Sequence, residues 1–294
     1  MRKILKLSLA GLAAAALALA CGNDNKSTGT TDAGTPDAGR QVTLNGAVTI
    51  LPQGAPSLGA TTVDMTKFSI LLIEPITLLL NPGNIALATL GAGAVTATAG
   101  ATPPAGTYAI PIDANRVTLA VVANVIDNGA GPAGAKVQTT TTATGVNRTI
   151  PAGETSHTAT APAFIIPDTF ATVLAGRVGT TPAAIGTSGY ILAMVLHGTV
   201  PLTGATVTVT DPNAYTGTPP ALTATALDGT GATTGASGIV IITADKAVGS
   251  QPLNLSASAT GLPACATTTS TGCIGTTQAG IQAGIAFVAP MATQ

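Results

Sequence analysis

Residues 197–209 read His197-Gly198-Thr199-Val200-Pro201-Leu202-Thr203-Gly204-Ala205-Thr206-Val207-Thr208-Val209. A turn punctuated by Pro and Gly runs into alternating Thr and Val, and a period of two marks a strand with one buried and one wet face. The strand is expected over Ala205 to Thr210. Upstream, Pro56-Ser57-Leu58-Gly59-Ala60-Thr61 repeats the P-x-x-G-A-T pattern of 201–206, again ahead of a β-like run. Some tens of residues later each copy is followed by a Gly-led strand, Gly106-Thr107-Tyr108-Ala109-Ile110 in the first and Gly238-Ile239-Val240-Ile241 in the second. The shared order of turn, strand, long connection and strand predicts two β modules.

Composition points the same way. Charged residues make up 8% of the chain and aromatics 2%, with no Trp, so Thr and Ser must cover the outside that charges usually cover. Thr, Val and Ile are stiff at χ1 and suit a pleated surface, whereas a helical protein would carry more Glu, Lys and Leu. The 35 Gly and 20 Pro then punctuate short strands.

In the first module, strands are expected at Val42 to Leu44, Ala47 to Ile50, Thr107 to Ile112 and Val117 to Val125. The apolar run Phe68 to Leu80 is too short to span a bilayer and is broken by Glu74-Pro75, so it reads as two buried strands joined at Pro75. Asp127 to Pro132 is turn-rich, and residues 133–165 read as Thr-rich and irregular. Asp168 reads as the N-cap of a short helix, with Phe170, Val173, Leu174 and Val178 at helical spacing and Gly176 or Gly179 at its end. Pro182 to Ile185 adds a turn. Strands resume at Tyr190 to Leu196, Gly238 to Thr243, Leu253 to Ala257 and Ile281 to Val288. The expected organisation is a first module over 41–130, a Thr-rich connection with a short helix over 131–189, and a second module over 190–294.

The stretch His197 to Val209, with Gly235-Ala236-Ser237-Gly238-Ile239 after it, resembles the carboxypeptidase regulatory-like or transthyretin-like β-sandwich. The usual pattern there is G-x-V, G-x-P-x-x-G-A-x-V-x-V and a later T-x-x-x-G-x-F strand, where this chain has Ile239 in place of the aromatic. The resemblance covers about residues 190–290 and, more faintly, 41–128. It implies a noncatalytic module of a kind carried by many bacterial surface proteins. The expected fold class is therefore mainly β: two Ig-like or transthyretin-like β-sandwich modules with a short helical segment between them.

The N-terminal residues concern address. Arg2, Lys3 and Lys6 precede fourteen uncharged residues, Leu7 to Ala20, the n- and h-regions of an export signal over 1–20. As a helix this segment would span roughly 21 Å, short of the roughly 30 Å hydrocarbon core. Leu17-Ala18-Leu19-Ala20-Cys21 resembles the lipobox of bacterial lipoproteins, with Ala18 where Leu is commoner, and the resemblance implies cleavage before a lipidated Cys21. The alternative is an ordinary secretory signal cut at Ala18-Leu19-Ala20, which leaves Cys21 an exposed reactive thiol. Two or more acyl chains would hold the protein to a membrane firmly, and the resemblance to lipoproteins implies that Gly22, rather than Asp, after the Cys favours the outer membrane or cell surface. Residues 21–40 carry no aliphatic side chain larger than Ala beyond the lipid site and read as a flexible tether.

Without residues 1–20 the 11 basic residues become 8 against 12 acidic, which leaves no basic face for nucleic acid. In an exported chain Cys265 and Cys273 form an even pair, so a disulfide is expected, and closing that loop restricts the unfolded chain by about 2.5 kcal/mol. His157 and His197 have no Cys or second His at ligand spacing, so no metal or cofactor is expected, and neither reads as having a carboxylate nearby in sequence for a catalytic triad, although one could assemble in space. The patterns G-x-S-x-G, H-E-x-x-H and G-x-x-x-x-G-K-[ST] are absent, and no enzyme activity is expected, an exported hydrolase being the remote alternative. Asp127-Asn128 and Asp211-Pro212-Asn213 could offer oxygens to Ca²⁺ or simply form turns. Tyr215 could stack on a sugar or pack locally. The runs Thr139 to Thr142 and Thr267 to Thr269 could carry glycans or lie in solvated strand or loop. The expected partners are a membrane through Cys21, an envelope protein, and a glycan as a further ligand.

Overall fold

Gln41–Ile50 forms a single strand, β1, whose Val42, Leu44, Val48 and Ile50 are buried. The two short runs expected here are continuous because Gly46 carries the pairing across the gap. Its partner on the neighbouring strand is Tyr108, and a Cβ on Gly46 would collide with that ring. The computed structural model describes residues 39–58, 63–81, 84–129, 137–147, 150–249, 251–266 and 270–294.

Beyond β1 the strands are β2 (Phe68–Ile73), β3 (Thr89–Ala94), β4 (Thr96–Ala97), β5 (Ala105–Asp113), β6 (Ala120–Asp127), β7 (Val137–Gln138), β8 (Thr140–Asn147), β9 (Ser156–Thr158) and β10 (Ala163–Pro167). The second half adds β11 (Tyr190–His197), β12 (Val200–Pro201), β13 (Thr206–Thr210), β14 (Leu222–Ala226), β15 (Ile239–Ala244), β16 (Leu253–Ser258), β17 (Thr277–Ala279) and β18 (Ala286–Ala292). Four short helices accompany them: α1 (Pro75–Leu80), α2 (Ile85–Ala88), α3 (Asp168–Val178) and α4 (Pro182–Ser188).

The strands make three sheets. One runs β4-β5-β1-β10-β7 with β9 also along β1; a nine-stranded sheet runs β14-β15-β11-β18-β8-β6-β2-β3 with β12 on β11; the third is β13-β16-β17. The fold is mainly β, with sheets packed face to face and α3 and α4 between the two halves in sequence. Leu44, Ile50, Ile110 and Ile165 of the first sheet pack on Phe68, Ile70, Leu72 and Val125 of the large one. At the other end of the large sheet, Ile191, Val195, Val240 and Ile242 pack on Val207, Leu253 and Leu255 of the small sheet. Alternate residues of β11 serve both of its faces, since Tyr190, Leu192 and Met194 meet Phe170, Leu174 and Ile185 of the helices. Gly39–Gln294 forms one compact unit, and the large sheet draws strands from both stretches expected as modules, joined where β18 pairs parallel with β8.

Several local expectations are corrected. The second half of the run Phe68 to Leu80 is helix, not strand. Pro75 occupies the first helical turn, where its missing N–H costs nothing, and the buried Glu74 caps that turn by accepting from Thr77 N at 2.5 Å. Asp168 lies inside the first turn of α3 rather than capping it; the cap position is Pro167, and Gly179 ends the helix at φ 72°. Val173 faces solvent. The strand expected over Ile281 to Val288 instead begins at Ala286 and follows β17.

The Thr-rich stretch read as irregular contains β8, β9 and β10. Four of its threonines do not cover a surface: Thr140, Thr141, Thr142 and Thr144 are buried, while Thr155, Thr158 and Thr160 are exposed. Thr144 Oγ1 donates to the Val121 carbonyl at 2.7 Å, and Thr140 and Thr142 bond the backbone of Phe164. A hydroxyl that reaches a backbone group satisfies both partners, so Thr is tolerated inside. Thr234 does the same for the turn of residues 202–205, donating to Leu202 O at 2.6 Å and accepting from Ala205 N at 3.0 Å. Gly238 leads β15 because its φ is 67° and a Cβ there would stand 2.7 Å from Val195 O.

Candidate functional site

Cys265 and Cys273 are joined, with Cα atoms 5.0 Å apart, so the expected disulfide is present. Cys265 N donates to Ile274 O across the base of the loop it closes, and the loop is held to the C-terminal segment by Gly275 N donating to Ala292 O and Gln294 N to Cys273 O. Cys21 and residues 21–38 of the expected tether lie outside the described residues, as do Thr267 to Thr269. The other run proposed for glycans, Thr139 to Thr142, includes the buried Thr140, Thr141 and Thr142, which are closed to glycosylation in the folded protein.

Asp211, Asn213 and Tyr215 come together in the segment between β13 and β14. Asp211 Oδ1 accepts from Asn213 N at 2.8 Å and Asn213 Nδ2 at 2.6 Å, while Oδ2 accepts from the Tyr215 hydroxyl at 2.7 Å. Asn213 in turn pairs with the backbone of Gln251 through both side-chain atoms, and the Tyr215 oxygen accepts from Gly249 N at 2.9 Å. Downstream, Asp245 Oδ1 accepts from Ala221 N, and Lys246 Nζ donates to Thr218 O. The long loop is thus bonded on both flanks to residues 245–251. Desolvation works against the Asp211 charge, but the bonds from Asn213 and Tyr215 outweigh it and hold the carboxyl below its ordinary value. Desolvation and the same carboxylate raise the Tyr215 hydroxyl, against the bond from Gly249. Beside the network lies an open depression of about 450 Å³ lined by Tyr215, Gly217, Pro219, Pro220 and Leu222 as well as Asp211 and Asn213.

Asp127 ends β6, and its Oδ1 accepts from Gly129 N at 2.7 Å. This is the same two-residue turn closure that Asp211 makes, and Asp64 and Asp113 make it too. Asp228 binds Ser237 through both oxygens and sits below its ordinary pKa, with desolvation opposing and the Ser237 hydrogen bonds prevailing. Among the described residues no three His, Cys, Asp or Glu side chains gather at one place.

His157 has a partner missed in the sequence: its Nδ1 lies 2.6 Å from Glu154 Oε2. The signal was present as a carboxylate three residues upstream, across the turn that follows Pro151. His197 Nδ1 lies 3.3 Å from Thr293 Oγ1. A second depression, about 740 Å³, lies between α3, α4 and residues 283–286, with Asp168 and Tyr190 in its wall. Burial, and then the Asp168 charge, push the Tyr190 hydroxyl far up.

Among the described residues no helix is long and apolar enough to cross a membrane. No family model matches the chain, so the likeness of residues 190–290 to the carboxypeptidase regulatory-like sandwich rests on the residues quoted for it. No curated protein matches either. Among solved structures the chain is similar to a Streptococcal ancillary pilin, at 7% identity and a TM-score of 0.21 over 86% of this chain and 69% of that one, a likeness too slight to bear on fold or function.

Proposed function

We propose that this chain is a noncatalytic lipoprotein of the bacterial envelope, held to the outer membrane or cell surface through lipid on Cys21, whose β-sandwich modules serve adhesion, envelope structure or assembly with a protein partner. The observation that carries the reading is the pairing of cysteines. Cys265 and Cys273 occupy each other, which leaves Cys21, of the three in the chain, as the thiol placed directly after Leu17-Ala18-Leu19-Ala20. A free thiol at that position is a reactive liability, and lipidation removes it. Metabolic labelling with a fatty-acid analogue and membrane fractionation test this: Cys21→Ser should lose the label and leave the membrane fraction, and a variant that keeps both sinks the proposal. A pull-down of the membrane-bound protein then seeks the partner.

A second reading, a carbohydrate- or Ca²⁺-binding module, has in its favour the depression beside Tyr215 and Asp211. Glycan arrays and calorimetric titration with Ca²⁺ decide it, flat responses counting against it.

A further inference from the structure

The surface carries an apolar patch at one end of the large sheet. Ile76 and Leu80, one helical turn apart on α1, are 36% and 73% exposed; Ile85 and Leu87 of α2 are 42% and 47% exposed, and Leu119 is 38% exposed. Hydrogen bonds tie these side chains into one place. Thr118 Oγ1, next to Leu119, donates to Glu74 Oε1 at the start of α1 at 2.9 Å. Arg116 clasps the other helix, donating to Leu87 O at 2.5 Å and Thr89 O at 3.0 Å. No charged side chain occurs between Glu74, which is buried, and Asp113.

The same end of the fold receives the chain coming from Cys21. Gln41, at the start of β1, pairs with Asp113 at the end of β5. Ala114 N donates to Arg40 O at 2.8 Å, two residues before Arg116. In the facing sheet, β2 runs into α1 here and β6 starts here, Ile73 pairing with Val122. Full extension from Cys21 to Gly39 spans at most roughly 65 Å at about 3.6 Å per residue, and the chain joins the fold at this end, so a lipid on Cys21 places this end within reach of the bilayer.

We infer that the α1–α2 face, with Leu119 and Arg116, rests on the lipid bilayer, its apolar side chains entering the headgroup and acyl boundary and the exposed Arg116 meeting anionic headgroups. The orientation rests on the Cys21 anchor proposed above. The chain has no Trp, so one introduced Trp is a clean probe. The lipidated protein is reconstituted into phosphatidylethanolamine/phosphatidylglycerol vesicles, with and without acyl-brominated lipid, as the Leu80→Trp, Leu87→Trp and Val200→Trp variants. Val200 is 63% exposed on β12, away from this end. Quenching at Leu80→Trp and Leu87→Trp should exceed that at Val200→Trp at least threefold. Equal quenching at the three positions overturns the inference. So does Leu80→Trp emission that is blue-shifted in detergent and insensitive to brominated lipid, because a second copy or a protein then covers the face. Flotation of wild type against Cys21→Ser reads the anchor separately, so loss of the anchor and loss of the face contact are told apart.

Discussion

Thr140 and Thr142, two residues apart on one face of β8, are the hydrogen-bond partners of Phe164 in the opposite sheet. Thr140 Oγ1 donates to its carbonyl, and its N–H donates to Thr142 Oγ1 at 3.1 Å. The next residue, Ile165, turns its carbonyl the other way, to Leu51 N at 2.8 Å, as successive residues of a strand do, so the hydroxyls stand where a neighbouring strand would. Thr140 and Thr142 are fully buried and Phe164 is 6% exposed. Replacing either Thr by Val keeps the shape but leaves one backbone group of Phe164 without a partner, at a cost of about 1–3 kcal/mol. The methyl gained returns up to about 0.8 kcal/mol, so each single variant should lose roughly 1–2 kcal/mol. The double variant should depart from additivity because both act on one residue. Urea unfolding with the disulfide intact reads this as a shifted midpoint at unchanged slope. Thr142→Ser keeps the hydroxyl and should lose less than Thr142→Val. Thr208→Val, on the exposed face of β13, should stay within about 0.5 kcal/mol of wild type. If Thr140→Val and Thr142→Val do no worse than Thr208→Val, the hydroxyls do not hold the sheets together and the reasoning fails.

The Tyr108 hydroxyl is buried without a hydrogen-bond partner among the described residues, and burial pushes it up to about 12. A raised pKa favours the protonated fold, so this stability is present below pH 10 and lost as pH rises toward about 12. Tyr108→Phe should match or exceed wild type at neutral pH and flatten the alkaline limb of the thermal-unfolding profile, Tyr190 keeping a share of it. Gly238→Ala must hold a positive φ and meet Val195 O at 2.7 Å; it should cost about 1–3 kcal/mol in chemical denaturation, and a neutral result would mean the β12 turn moves freely. Asp211 has a lowered pKa, so its contribution is complete above about pH 4 and falls away as pH drops through the folded value. Hydrogen-exchange protection at Gly249 and Gln251 should decline over that window and should be weaker throughout in Asp211→Asn; an unchanged pattern would remove the carboxylate from the loop's support.

Period-two alternation made β1, β5, β13 and β16 legible because each has a core face and a more exposed one, whereas β11 is buried on both faces and is marked by its continuous apolar run instead. The run Phe68 to Leu80 misled because the exposed apolar residues Ile76 and Leu80 of α1 prolong the hydrophobic run beyond the strand, and Glu74-Pro75, read as a break, is also a helix start. The stretch 137–167 misled more deeply. Threonine at the surface and threonine in the interior are the same letter, and only the distant carbonyls of Val121 and Phe164 decide between them. The merging of two stretches into one sheet was beyond reach for a like reason: the parallel pairing of β18 with β8 joins residues 286–288 to 140–142, a contact with no local signature.

The acids explain why the loops offered candidates that sequence could not rank. Asp64, Asp113, Asp127 and Asp211 each bind the amide two residues on. Asp228 and Asp245 tie separate loop segments, Glu74 caps α1, and Glu154 pairs with His157. A turn-forming Asp and a ligand-binding Asp look alike in sequence, since both ask for Asp or Asn beside Pro or Gly. In the fold, recruiting any of these carboxylates for acid–base work or for Ca²⁺ would compete with a bond that holds a turn. A ligand at any of these loops would therefore have to offset the turn or loop contact that it displaces.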